Sequence, residues 1–292
     1  MNNHRSRLLV SSYPHWFYLP AGLIFLIIFI IPTVMAFYFS LTRWSLFNAT
    51  FTGLKNYRTF FSDPQLLASL KNTVIYAVMT SGSKVVIALP LAALLTSDII
   101  RIKGLLRSIV FFPTLISTVA VGVSFTALMQ PSIGFINTVL RIFGLSGPDW
   151  LGDPGMALYS VALVDIWRGI GIALVIYMAA ILSIPTTYFD AARLEGGSWL
   201  RFRHIIVPLT RNASFTVILL SFIGGLRSFD LIWTMTQGGP GFASEVLTSV
   251  IFKQYGAGFY GLSTAGNVVL FILVSIIAYP MMYCFNRREI EL

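Results

Sequence analysis

Six runs of mostly apolar residues, each long enough to cross a bilayer, constrain this chain more than any other feature. A helix rises about 1.5 Å per residue, so about 20 such residues span the hydrocarbon core. The runs fall at residues 17–41, 72–96, 105–129, 156–182, 207–233 and 264–285. Pro32, Pro90, Pro113 and Pro280 lie inside them. They are expected to mark kinks and not ends, because neighbouring helices can satisfy the freed carbonyls. Only 11% of residues are charged and 56% are hydrophobic, whereas about a quarter are charged in soluble domains. The expected fold is an all-α membrane protein with six transmembrane helices in one domain, residues 1–292.

The net charge of +9 follows the rule that keeps Lys and Arg cytoplasmic, and no nucleic-acid-binding module accompanies it. With the N-terminus inside, eleven basic residues fall on the inner side (Arg5, Arg7, Arg101, Lys103, Arg107, Arg193, Arg201, Arg203, Arg211, Arg287 and Arg288). Six fall outside: Arg43, Lys55, Arg58, Lys71, Arg141 and Lys253. Both termini are therefore expected in the cytoplasm. The first apolar run lacks a small-residue cleavage site and is expected to be a retained span. Cys284 is the single cysteine, so the chain can form neither an internal disulfide nor a Cys-based metal cluster. Neither a phosphate-binding G-x-x-x-x-G-K-[ST] loop nor an H-E-x-x-H zinc motif occurs, and His4, His15 and His204 are far apart in sequence. No nucleophile elbow is present.

Between the fourth and fifth runs lies a polar loop, residues 186–206. Asp190 to Gly196 is expected to form a short helix with Asp190 in its first turn, stopped by Gly196 and Gly197 in the left-handed conformation. A second helix should start near Ser198 as N-cap and run toward Pro208, giving a helix–turn–helix on the membrane surface. Ala191 and Ala192 would leave it closely approachable. Inside the spans, each charge is a functional hypothesis because it costs at least ~2.5–3.5 kcal/mol to insert. Asp165 with Arg168, and Arg227 with Asp230, are each spaced to share a helix face and neutralise one another. Purely structural ion pairs and a pathway role are both open. Trp167 could pack on a pyranose while Arg168 and Asp165 bond its hydroxyls, and Ser221, Gly225 and Ser228 repeat along one small polar face. Lys84, with Ser81 and Ser83, is expected to pair with a neighbour or reach an interface.

The order D-A-A-x-x-x-G at Asp190–Gly196, then I-x-V-P at Ile205–Pro208, resembles the E-A-A loop of permease subunits in binding-protein-dependent ABC importers. Asp190 stands where Glu is usual, and eight residues separate Gly196 from Ile205 where the family has nine. Further pieces resemble the carbohydrate branch of the MalF type: "GLKNYRTFFSD", "NTVIYAV", "DIWRG", "SFDLIWTMTQGGP" and "GLSTAGNVVLF", in that order over nearly the whole chain.

The resemblance implies the type I importer permease (MetI-like) fold, with residues 186–206 as the cytoplasmic coupling helix. It implies that Asp190, Ala191, Ala192, Arg193, Glu195 and Gly196 meet an ATPase subunit. By position it implies a sugar pathway lined by Asp165, Trp167, Arg168, Gly169, Ser221 and Gly225. The partners implied are a second permease of the MalG type, two ATPase subunits that bind the ATP and magnesium, an extracytoplasmic solute-binding protein and membrane lipid. The chain itself is expected to be no enzyme and to hold no cofactor or metal, and it would lie in a bacterial or archaeal cytoplasmic membrane. The solute would be a sugar, oligosaccharide or polyol, and the "TQGGPG" turn would face the binding protein. An ion-coupled secondary transporter is the rival, with Asp165 and Asp230 as ion ligands. It leaves the cytoplasmic loop unexplained, and no inverted repeat supports it. A membrane enzyme lacks a catalytic constellation.

Overall fold

In a computed structural model, residues 15–44, 48–97 and 100–286 are described; the side chains of His15, Arg193–Glu195 and Cys284–Asn286 lie outside that description. Arg5, Arg7, His4, Arg287 and Arg288 fall outside it as well. The helices are α1 (Leu19–Phe25), α2 (Ile31–Ser40), α3 (Lys55–Ser62), α4 (Pro64–Thr96), α5 (Lys103–Leu115), α6 (Thr118–Leu128), α7 (Phe135–Ile142) and α8 (Ala157–Leu182). They continue as α9 (Thr186–Glu195), α10 (Ser198–Arg201), α11 (Val207–Leu209), α12 (Arg211–Leu226), α13 (Asp230–Met235), α14 (Leu247–Gly256) and α15 (Tyr260–Asn286). Strands β1 (Thr42–Trp44) and β2 (Ala49–Phe51) pair antiparallel, an element that a count of apolar runs does not foresee.

Among the described residues, four helical stretches are long and apolar enough to cross a membrane, namely Trp16–Ser40, Pro64–Thr96, Ala157–Leu182 and Tyr260–Tyr283. The number is six if two bent pairs each count as one span. The first bend divides the third run, and the second sets off the helix that runs toward Pro208 from the rest of the fifth. Lys103–Leu115 and Thr118–Leu128 meet at 99°, and Ser198–Leu209 and Arg211–Leu226 at 67°. At the first, Ile116 is extended and Ser117 is non-helical after Pro113, so a proline region ends a helix where only a kink was expected. At the second, the Thr210 hydroxyl donates back to the Ile206 carbonyl at 2.7 Å, a contact that bends helices. The fifth run also stops early, because α12 ends at Leu226 with Arg227 as its C-cap and α13 is separate.

α4 is the central helix and packs on both α8 and α12. It starts where Asp63 caps the Gln65 N–H at 2.8 Å with Pro64 in the first turn, a strong start signal. At its far end the Arg107 guanidinium donates to the Leu95 carbonyl at 2.9 Å, satisfying one of the helix's orphan acceptors. A core cluster there joins Ala88, Ala92 and Leu95 of α4 to Leu174, Tyr177 and Ile181 of α8 and to Ala213 and Val217 of α12.

The opposite end of α4 is closed differently. Asn72 donates to the carbonyls of Ala243 (3.1 Å) and Glu245 (3.0 Å), and the Thr73 hydroxyl accepts the Leu247 N–H at 2.8 Å. Glu245, fully buried, takes Lys253 Nζ at 2.6 Å and Gln65 Nε2 at 2.7 Å. This clamp pins the turn containing "TQGGPG" to α4. Asn56 similarly donates to the carbonyls of Ser40 and Thr42, both at 2.8 Å, while Tyr57 donates to Ser40 Oγ at 2.7 Å. Several residues of the quoted stretches are thus structural fasteners.

Candidate functional site: a charged cavity and the loop joining its walls

Where α4, α8 and α12 converge, a cavity of about 470 Å³ is lined by Lys84, by Asp165, Arg168, Gly169, Ile172 and Ala173 of α8, and by Val217, Leu220, Ser221 and Gly224 of α12. Arg227 to Leu231 close one side and Thr118 another. Of the six positions expected along a solute pathway, Asp165, Arg168, Gly169 and Ser221 therefore share one cavity.

Two do not line it. Trp167 is 43% exposed and packs on Phe125, ring centroids 5.1 Å apart; one residue along a helix is a turn of about 100°, which carries the indole off the lined face. Gly225 is buried against α4, where an added Cβ would lie 2.7 Å from the Ala77 Cα and 3.0 Å from the Thr80 hydroxyl. It is a close-approach residue between helices, and Gly224 takes the cavity position instead.

The expected charge pairing also changes. Asp165 Oδ2 pairs across helices with Lys84 Nζ at 3.3 Å, not with Arg168 one turn away. Lys84 fits because Gly169 has no side chain; a Cβ there would come within 2.7 Å of the ammonium. The buried Tyr76 hydroxyl accepts from Ser228 at 3.3 Å and lies against Asp165. Arg227 and Asp230 straddle a helix break, so they share no helix face, and they form no ion pair among the described residues. Asp230 opens α13, where the dipole offsets its charge by about 0.3–1 kcal/mol. Arg168 Nε is buried without a hydrogen-bond partner among the described residues. No group of three or more His, Cys, Asp or Glu side chains among them could hold a metal ion.

Both walls of the cavity run into the same polar loop. α8 ends at Leu182 and α9 begins four residues later; α10 and α11 lead into α12. α9 starts at Thr186 after Pro185, so Asp190 sits mid-helix and not in the first turn. The cap before α10 is Gly197, with Ser198 already helical, because its hydroxyl instead accepts from Arg201 at 2.9 Å. Gly196 is extended, φ 173° and ψ −173°, so the turn needs no left-handed glycine. Asp190, Ala191 and Gly196 are exposed while Ala192 is 9% exposed, which leaves Ala191 as the open alanine. The side chains of Arg193 and Glu195 lie outside the described residues. Phe189 and Phe202 anchor the loop on the core cluster that contains Ala173 and Val217, and those two residues also line the cavity. Loop and cavity thus share one core cluster.

Sequence reasoning missed the Glu245–Lys253 clamp and the Lys84–Asp165 partnership. A glutamate in the apolar stretch "SEVLTSVIF", eight residues before a lysine, was the available signal for the first.

Comparison with known proteins agrees with this architecture. The chain is 35% identical over 284 residues, 94% of this chain and 97% of the relative, to the probable ABC transporter permease protein YurN of Bacillus subtilis (strain 168). It is 30% identical over 259 residues, 88% of each chain, to the trehalose/maltose transport system permease protein MalF of Thermococcus litoralis. The fold matches a chain of a bacterial alginate ABC transporter crystallised with an alginate pentasaccharide-bound periplasmic protein, at TM-score 0.79 over 93% of both chains and 21% identity. The model of the family described as "Binding-protein-dependent transport system inner membrane component" matches residues 66–291, and the chain belongs to that family.

Proposed function

We propose that this chain forms one half of the translocation pore of an ATP-driven importer and that its solute is a sugar, oligosaccharide or related polyol. One observation carries the reading: α8 and α12, which wall the charged cavity, are the two helices joined by the loop bearing the D-A-A motif. A push on that loop reaches the cavity through Phe189, Phe202, Ala173 and Val217. Coupling of nucleotide and solute sites then requires only that the two helices have two arrangements biased from either end. The relatives' names add trehalose/maltose, arabinooligosaccharides and lactose as solutes of those proteins.

The remaining partners would be a second permease of the MalG type, two ATPase subunits that carry ATP and magnesium, and a solute-binding protein. Asp190, Ala191, Arg193, Glu195 and Gly196 would meet the ATPase. The chain would sit in a cytoplasmic membrane with both termini and the α9–α10 loop inside. Proteoliposomes holding the chain with these partners test the reading. ATP should drive sugar accumulation only when the binding protein is present on the other side. Accumulation by this chain alone, driven by a proton or sodium gradient, would replace the importer with an ion-coupled carrier.

A further inference from the structure

The charges of the cavity do not cancel. Lys84, Arg168 and Arg227 face Asp165 and Asp230, three cations against two carboxylates. Lys84 is matched by Asp165. Arg227 and Asp230 each sit at a helix end whose dipole suits them. Arg168 has neither support: it lies midway along α8, its nearest carboxylate on the helix is taken by Lys84, and its buried Nε has no partner among the described residues. Arg168 is part-exposed at the cavity wall, and a charge inside a membrane span without a counter-charge beside it is a site where an anion is favoured. Guanidinium is also the side chain best shaped to hold a carboxylate or phosphate through two parallel hydrogen bonds.

We infer that the solute carries an anionic group, a carboxylate or a phosphate, which docks on Arg168 while its hydroxyls face Ser221 and Asp230. The inference rests on the importer reading and narrows its solute to acidic sugars or phosphorylated sugars and polyols. A neutral sugar would leave the Arg168 charge unmatched by any described residue of this chain. The surplus of one positive charge also disfavours cationic solutes, because a second like charge in the cavity is repelled.

Uptake into intact cells tests this, with the gene for the chain deleted and then restored as wild type, Arg168→Gln or Arg168→Lys. The panel is labelled oligouronides, sugar phosphates and neutral disaccharides, with immunoblots of membranes reporting the amount of each variant. Loss of uptake on deletion is expected for an acidic solute alone; the oligouronide arm identifies a carboxylate and the sugar-phosphate arm a phosphate. Arg168→Gln at normal abundance should reduce it about tenfold or more, the worth of one charge-assisted hydrogen-bonded pair, with Arg168→Lys retaining more. Chain-dependent uptake confined to neutral disaccharides would overturn the inference and leave the importer intact. Uptake of every solute unchanged by deletion would overturn the importer reading itself.

Discussion

Glu245 and Asp165 are both carboxylates paired with a lysine inside the helical bundle, yet they are held in opposite ways. Glu245 is completely buried and both its oxygens are occupied, by Lys253 at 2.6 Å and by Gln65 at 2.7 Å. The Asp165 side chain is 16% exposed, its contact with Lys84 is 3.3 Å long, and it borders open volume beside Arg168, which has no ion-pair partner among the described residues. A buried network whose members are all satisfied fixes one geometry. A network with capacity left over can exchange partners. The first therefore fastens a turn to α4, and the second is the network that the proposed function assigns to the solute.

Breaking the clamp should have the largest effect on stability. Glu245→Ala removes two hydrogen bonds to a buried carboxylate, from Gln65 and from Lys253, whose side chain is 35% exposed, at roughly 1.5–3 kcal/mol each. A marked fall in the unfolding temperature of the purified complex is expected. Asp165→Asn should cost less, about 1–3 kcal/mol, while removing most solute uptake. An Asp165→Asn variant as unstable as Glu245→Ala would erase the distinction between fastener and site.

Adjacent glycines sharpen the comparison further. Gly225→Val must push apart α12 and α4, where the Ala77 backbone leaves no room for a Cβ, at about 1–3 kcal/mol for overpacking. Gly224→Ala meets nothing within 4 Å and should hold or raise stability by about 0.5–1 kcal/mol through helix propensity. Because Gly224 lines the cavity, its effect should appear in solute affinity. Equal melting temperatures for Gly225→Val and wild type would contradict the close approach. A smaller effect, about 1 kcal/mol, is expected for Arg107→Ala, which frees the Leu95 carbonyl at the end of α4; hydrogen exchange confined to the last turn of α4 would show it.

Much of this was legible in the chain before any coordinates. Apolar run lengths revealed the membrane class, and the order of D-A-A, the glycine and I-x-V-P located the polar loop between the fourth and fifth runs. Register between helices was not legible. Gly224 and Gly225 differ by one residue, and only the packing of α12 on α4 decides which faces the cavity. Lys84 and Asp165 lie 81 residues apart, so the pairing that displaced the expected Asp165–Arg168 contact depends on how α4 meets α8. The bend at Thr210 escaped the hydropathy count because a threonine hydroxyl turning back to Ile206 alters direction without altering apolarity. Helix α9 starts at Thr186, directly after Pro185 as N-cap, which leaves the Asp190 carboxylate mid-helix.

The most direct test concerns the loop that joins the cavity walls. Ala191→Cys, on a Cys284→Ser background that removes the single native cysteine, is to be paired with cysteines around the docking surface of candidate ATPase subunits, with and without ATP. Ala191 is chosen because it is exposed where Ala192 is not. A specific disulfide-linked product whose yield changes with nucleotide is predicted. No product with any ATPase subunit, in membranes where the whole set and the variant chain are present, would contradict the claim that this loop transmits the ATPase stroke to the cavity.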